Sequence, residues 1–469
     1  MMLNIINLIK YRTGIRLAKQ GKMQDALNYF TQTLKKNPHD EFLNGEVARS
    51  YFKLNEIDLM KMHLRQALRA ASVSSSTVRT ILEMTNWRMI ASPRYFNQTP
   101  AFSPDGKYVV FASAREKTSG DGMLSASDRP GLYRYNLLTG QEECIVDAQF
   151  YNSSPRYSPD GNTMIYLSAR RDTDQNGIID HRDNRALVLR DLSSGKEEVL
   201  VNDSNKVKHA SFSPDGTRII YYCTPAGSTV GNVYLMNIGD RRQINLTPGE
   251  FESTFPSISP DGQRYVFSAW RRDTNRDGEI TLRDNSGIYC REFNSLREIE
   301  VAADHYDNSF PEFSPNSRYI MYLSRRRDTN HDGVINSQDN AGIYQFDLKR
   351  MKEKVLVTDS HYNKYPSYTP NGKMIVFMSS WRRKKIQHAP HGDYFEQKGI
   401  YAMNLVSWHI VQLVNDKYYS SHGPIVSPDS KHVVYTSWRK GFSRGLYIAL
   451  INDIPSKDDL IHFIEHNFS

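Results

Sequence analysis

The spacing of apolar residues changes once along this chain, near residue 85, and the change divides it into a helical part and a strand part. Residues 8 to 72 read as two helical hairpins with a 34-residue period, Leu8 to Asp40 and Glu41 to Ser72. A third helix, roughly Ser76 to Thr85, would cap the apolar face of the second hairpin. From Trp87 onward apolar and polar residues alternate in short runs such as Tyr108-Val109-Val110-Phe111, the pattern of half-buried strands.

Each such run follows one phrase, which recurs seven times from PAFSPDGKYVVF at Pro100 to PIVSPDSKHVVY at Pro424. Its constant proline stands at 104, 159, 214, 260, 315, 370 and 428, so successive copies are 55, 55, 46, 55, 55 and 58 residues apart. Proline presets φ, Asp or Asn accepts backbone hydrogen bonds, and Gly supplies positive φ, so Pro-Asp-Gly predicts a tight hairpin turn. After the turn each repeat supplies a second strand, a variable insertion, a third strand of the Gly131-Leu132-Tyr133 type and a fourth such as Glu197 to Val201. Four strands at this period predict a propeller blade. The last repeat lacks a fourth strand and the segment at 87–91 stands where one is needed, which predicts a ring closed by the N-terminal strand with no open edge.

The fold expected is therefore a multidomain α + β chain: a helical domain over 1–86, an all-β propeller over 87–455, and a docking helix over 456–469 with a capping-box start at Ser456. Counting phrases predicts seven blades, with six as the alternative. Gly14, Ala26, Pro38, Val47, Ala48, Tyr51, Leu64 and Ala67 make the helical part resemble the tetratricopeptide repeat, although Lys10 and Asn44 stand where that family places its first aromatic. The SPDG phrases resemble the WD40-like repeat of TolB-type propellers over residues 87–452.

Three insertions share one design, DTDQNGIIDHRD from Asp172, DTNRDGEITLRD from Asp273 and DTNHDGVINSQD from Asp328. Oxygen side chains recur at positions 1, 3, 5, 9 and 12 with Gly at 6, the calcium-loop spacing of the EF-hand and dockerin type. Three structural calcium sites are expected. The first would use Asp172, Asp174, Asn176, Asp180, Asp183 and the Ile178 carbonyl; the second Asp273, Asn275, Asp277, Thr281, Asp284 and Glu279; the third Asp328, Asn330, Asp332, Asn336, Asp339 and Val334. Metal-free Asx-turn loops are the alternative, and three occurrences at equivalent places count against it.

Two rings of residues should share the face of these loops. One is basic and follows the second strands, including Arg171, Arg272, Arg327 and Arg383. The other precedes each first strand: Phe96, Tyr151, Phe251, Tyr306, Tyr362 and Tyr419, with Asn97, Asn152, Asn308 and Asn363 behind them. Aromatic and amide groups around a ring mouth suit a peptide or carbohydrate site. The alternative is that the aromatics cover blade ends and the arginines neutralise the Asp-rich loops.

Charge and composition narrow this little. The formal charge is +8, and residues 1–86, with 13 Lys+Arg against 7 Asp+Glu, hold +6 of it. The three cysteines, Cys144, Cys223 and Cys290, have no paired spacing and read as small buried strand residues. No run of about 18 apolar residues offers a membrane span. The opening residues lack the pattern of a signal peptide, which points to the cytoplasm, while the calcium loops and the TolB resemblance point to the cell envelope or exterior. Gly441-Phe442-Ser443-Arg444-Gly445 fits the nucleophile-elbow string, but it lies between antiparallel strands and not at a strand-to-helix turn. The expectation is thus a non-enzymatic scaffold for other, unidentified proteins. The alternative is a binding protein or lyase for an anionic polymer, glycan or nucleic acid.

Overall fold

The computed structural model describes residues 10–67 and 88–451, apart from 11, 19, 36–37, 39, 55, 121–123, 250, 296, 386–393, 415–419 and 439–443. The chain divides into two compact units, Met1–Arg88 with Asn452–Ser469, and Met89–Ile451. The helices expected at 76–85 and from Ser456 lie outside the described residues.

In the first unit residues 12–18 are helical, followed by helices Met23–Leu34, Glu41–Lys53 and Ile57–Ala67. Ala26, Leu27, Phe30, Leu34, Leu43 and Val47 form its core, with Ile15, Leu17, Ala18 and Tyr51 packed against them. Gly14 is required for close approach, because a Cβ there would stand 2.5 Å from the Phe30 ring. Asp40 caps the Glu41 helix by accepting the Leu43 N–H at 2.8 Å. Asn44 takes the place of an aromatic by satisfying its polar groups: its amide donates to the Pro38 and Asp40 carbonyls and its oxygen meets His63 Nδ1 at 2.8 Å. His63 in turn stacks on Tyr51.

The second unit is built from four-stranded antiparallel sheets that resemble propeller blades. Repeats 2 to 6 each form a separate sheet, while repeats 7 and 1 share an eight-stranded one. There the last strand, Arg444–Leu450, pairs with Arg88–Ala91 and, in parallel at Phe96, with the first strand of repeat 1. The second strands, such as Val109–Ala114 within Tyr108–Ala114, are buried on both faces. Their side chains fill layers between neighbouring sheets: Val266, Ile288, Phe313, Ile320 and Tyr322, for example, join repeats 4 and 5. Cys223 and Cys290 are buried, whereas Cys144 is exposed, because the fourth strands of the repeats face solvent over most of their length.

The repeated phrase folds as a turn in which serine is as necessary as Pro-Asp-Gly. In repeat 1 the Ser103 carbonyl accepts the Gly106 N–H, and the Ser103 hydroxyl donates to Asp105 at 2.6 Å while accepting the Tyr108 N–H. Gly106 has φ +71°. Repeats 5 and 7 carry Ser317 and Ser430 at that left-handed position. There each hydroxyl accepts a backbone N–H from the turn of the preceding repeat, from Asp261 and Asn371 respectively.

Candidate functional site

Each Asp-rich loop is held by its last aspartate. Asp183 accepts the N–H groups of Thr173, Asp174 and Asp180; Asp284 those of Thr274, Asn275 and Thr281; Asp339 those of Thr329, Asn330 and Asn336. Burial opposes ionisation of Asp284 and Asp339, but these N–H groups outweigh it and hold both carboxyls below the usual range. Repeat 1, which lacks the metal motif, uses the same staple: Asp128 accepts from Thr118, Ser119 and Ser125. Position 2 completes it, since Thr118, Thr173, Thr274 and Thr329 each accept the N–H that follows the aspartate. The recurrent Asp-Thr pair was the signal for this residue.

The rest of each loop closes into a cradle of side-chain oxygens on backbone N–H groups. Asp172, Asp273 and Asp328 accept the N–H of the glycine five residues on, and Gly177, Gly278 and Gly333 adopt φ of 89°, 89° and 87°. Asn176, Asp277 and Asp332 turn their oxygens onto the N–H of Ile178, Glu279 and Val334. Oxygens of Asp172, Asp174 and Asp183 lie within 4.8 Å of one another, a cluster able to hold a metal ion. In the other two loops Asn275 and Asn330 donate to Asp277 and Asp332. Asp180 is buried and bound by Arg182, with Nη2 at 2.6 Å from Oδ2; Thr281 and Asn336 accept the N–H of Arg283 and Gln338. The second and third cradles touch, as Asn285 donates to the Ile335 carbonyl at 3.1 Å.

The arginines after the second strands are spent within their own repeats, and not on the Asp-rich loops. Arg115, Arg170, Arg271 and Arg326 pair with fourth-strand Glu142, Glu197, Glu298 and Glu353. Three of them also cover third-strand rings, at 3.4 Å over Tyr133, 4.0 Å over Tyr289 and 3.9 Å over Tyr344. Arg171, Arg272 and Arg327 pair with Asp203, Glu300 and Asp359. Arg383 lies in the strand Met374–Lys385, but its side chain is outside the described residues.

The expected aromatic and amide ring does not act as one surface. Phe96 and Tyr151 are buried; Phe96 packs edge-on against Trp438, and the Tyr151 hydroxyl accepts from Gln98. Tyr306 and Tyr362 are half-buried, Phe251 is 39% exposed, and Tyr419 lies outside the described residues. Asn97, Asn152, Asn308 and Asn363 are buried, and each amide donates to backbone carbonyls just before its own strand, Asn97 and Asn363 also to the Arg444 and Ala341 carbonyls of the preceding repeat.

A different ring lies on the first strands. Thr99, Ser154, His209, Phe255, Phe310, Tyr365 and Gly423 all have φ between 48° and 59°, each at a register shift in its strand and each five residues before the turn proline. Positive φ is costly for aromatic residues, and bulges re-aim side chains. Here they bring neighbours together: His209 and Phe255 ring centroids are 4.4 Å apart, Phe255 and Phe310 4.1 Å. Phe310 is 37% and Tyr365 44% exposed. The run of His, Phe, Phe and Tyr at this offset in repeats 3 to 6 was the sequence signal for the arc.

Charged groups share this inner face. His209 is open on one side yet crowded on the others; burial, then Lys208, Arg156 and Arg185, lower its pKa to about 4. Burial also lowers the pKa of Arg156 and, with Lys206 and Arg185, that of Lys208. Glu312 goes the other way. Burial raises it to about 7 against the Tyr368 N–H and Ser367 hydroxyl that it accepts.

Residues 179–389 match the family described as the TolB beta propeller domain. The chain contains a TolB-like β-propeller domain. The Tol-Pal system protein TolB of Francisella tularensis is 27% identical over 270 residues, 57% of this chain and 54% of that protein. Dipeptidyl-peptidase 5 of Porphyromonas gingivalis is 30% identical over 165 residues, 34% of this chain and 22% of that one. The chain thus spans about half, or less, of the curated relatives it matches. Among solved structures, oligogalacturonate lyase from Vibrio parahaemolyticus superposes with a TM-score of 0.54 at 14% identity, over 78% of this chain and 94% of that one. That likeness is one of fold. Two expectations are corrected by these relatives. A firmly non-enzymatic role does not stand beside a peptidase and a lyase. The cytoplasmic location is overturned by the TolB relatives, whose cell-envelope system favours an exported or envelope protein. No described helix is long and apolar enough to cross a membrane.

Proposed function

We propose that this protein binds an acidic polysaccharide chain at the axis of a TolB-like propeller. The observation that carries the reading is the arc of left-handed residues, His209, Phe255, Phe310 and Tyr365, which offers closely spaced, tilted and partly exposed rings beside cations that form no ion pair among the described residues. Flat apolar faces suit sugar rings, and cations suit uronate carboxylates. The rim arginines contribute little in this reading, because their charges are already met. Lyase action on the bound chain is the second reading, favoured by the oligogalacturonate lyase fold spanning nearly all of that enzyme.

In this reading the propeller has seven blades, closed by Arg88–Ala91 on Arg444–Leu450. Calcium binds in three cradles, through Asp172, Asp174 and Asp183 and their counterparts, and stiffens the loop face. The described helices of the N-terminal unit form two tetratricopeptide-like hairpins. The TolB likeness supports contacts of the protein with other proteins as well.

The test is binding of the full chain to polygalacturonate, neutral mannan and RNA over a salt series. Binding to polygalacturonate that weakens at least about tenfold in Phe310→Ala or Tyr365→Ala is expected. Absence of binding to any acidic glycan at low salt would overturn the reading, and equal binding to RNA would show that backbone charge alone is recognised. Ultraviolet absorbance from an unsaturated product separates the lyase from the binding protein.

A further inference from the structure

Two arginines without a carboxylate partner among the described residues stand at the junction of repeats 2 and 3. Arg156 lies on the first strand of repeat 2, just past its register shift, and its guanidinium donates to the neighbouring Pro155 carbonyl at 2.8 Å. Arg185 follows the loop staple Asp183 by two residues. Its Nη2 donates to the His181 carbonyl at 2.6 Å, its ring neighbour is Tyr151 at 5.7 Å, and its Nε is buried with no partner. The Arg185 carbonyl accepts the Val207 N–H, which brings it beside Lys208 on the first strand of repeat 3. Neither arginine forms an ion pair among the described residues. Glu252 is the acid that bears on Lys208, and its two oxygens are taken by the Tyr222 hydroxyl and the Gly231 N–H, both at 2.6 Å. Asp180, also nearby, is held by Arg182.

A guanidinium in a protein keeps its proton, so half-burying one without a carboxylate leaves a charge that a bound anion would neutralise. We propose that Arg156, Arg185 and Lys208 form a pocket for one carboxylate of the ligand, beside the His209–Phe255–Phe310 stack that receives the sugar ring bearing it. This rests on the acidic-glycan reading and deepens it, placing the acid-recognising step in two repeats out of seven. His209 stays neutral beside the three cations, so it does not compete for the anion. The position of Arg185 just beyond the first cradle also ties the pocket to that loop.

The experiment is titration of the full chain with galacturonate trisaccharide and with its methyl ester, for wild type, Arg156→Gln, Arg185→Gln and Lys208→Met. The free acid is expected to bind and the ester to bind at least about tenfold more weakly, with each variant losing about tenfold for the acid only. A flatter salt dependence should accompany each loss. Melting is the control: Arg156→Gln should melt at or above wild type, so a loss of binding is not a loss of fold. Variants that bind the acid as wild type does overturn the pocket while leaving the glycan reading intact. If wild type binds no acidic glycan, the broader reading fails, and the pocket is then judged by thermal stabilisation with acetate or sulfate. Stabilisation lost in Arg156→Gln supports it, and stabilisation equal in both proteins overturns it.

Discussion

Arg156 and Arg171 belong to the same repeat and carry the same charge, but the fold treats them in opposite ways. Arg171, at the rim, meets Asp203 at 2.6 Å, and the pattern recurs as Arg272 with Glu300 and Arg327 with Asp359. Arg156, on the first strand, meets no carboxylate among the described residues. A basic ring visible in sequence is therefore mostly self-neutralised, while the charge left for a ligand sits where no charge run marks it. What matters is where the counter-charges fall, and fourth-strand acids reach the rim but not the inner face.

The sharpest test of that contrast concerns stability. Arg325, 5% exposed in its side chain, pairs with buried Asp307 at 2.8 Å. Arg325→Ala should cost about 3–5 kcal/mol by urea unfolding, since it strands a buried carboxylate, whereas Arg156→Gln should cost nothing. Equal losses would break the comparison.

The inner face should also set the pH profile. The Glu312 carboxyl is raised to about 7 in the fold, so the folded state holds its proton more tightly and stability falls as pH rises from about 4.5 to 7. His209, lowered to about 4, has the opposite sign: stability is lost as pH falls from 6.5 toward 4. For Glu312 this amounts to at most about 3 kcal/mol, and for His209, exposed on one side, solvent screening makes it smaller. Glu312→Gln should abolish the loss on the alkaline side of that window and leave the other limb, as unfolding midpoints from pH 4 to 8 will show.

Loop staples come next. Asp128→Ala and Asp284→Ala should each cost about 1–3 kcal/mol through orphaned N–H groups. Chelation with EGTA should lower the wild-type midpoint, and this shift should shrink in Asp284→Ala and not in Asp128→Ala. An unchanged wild-type midpoint would count against occupied cradles. The smallest effect belongs to the rim: Arg272→Ala, whose pair is largely exposed, should change stability by less than about 1 kcal/mol and leave glycan binding unaltered.

Much of the architecture was legible because it is local. The SPDG phrase names its own turn, and the Gly at position 6 of each cradle names its own left-handed residue. The Asp at position 12 was legible as an oxygen and misjudged in emphasis: the same staple in repeat 1, through Asp128, shows that it builds the loop with or without a metal motif. Asn97, Asn152, Asn308 and Asn363 looked like ligand amides because their spacing is regular, and the structure spends them on strand-start carbonyls. Phe96 and Tyr151, from the aromatic ring expected in sequence, are buried, and the arc of exposed rings lies at other positions of the first strands.

The repeat, its period and the change from helix to strand were written in the sequence, since turns and strand alternation depend on residues a few positions apart. Pairing was not. Which arginine finds a glutamate, which asparagine is buried, and which residues are forced to positive φ against their neighbours in adjacent repeats depend on contacts between strands about 30 to 55 residues apart. Those contacts, and the absence of a carboxylate beside Arg156 among the described residues, were decided only when the sheets packed side by side.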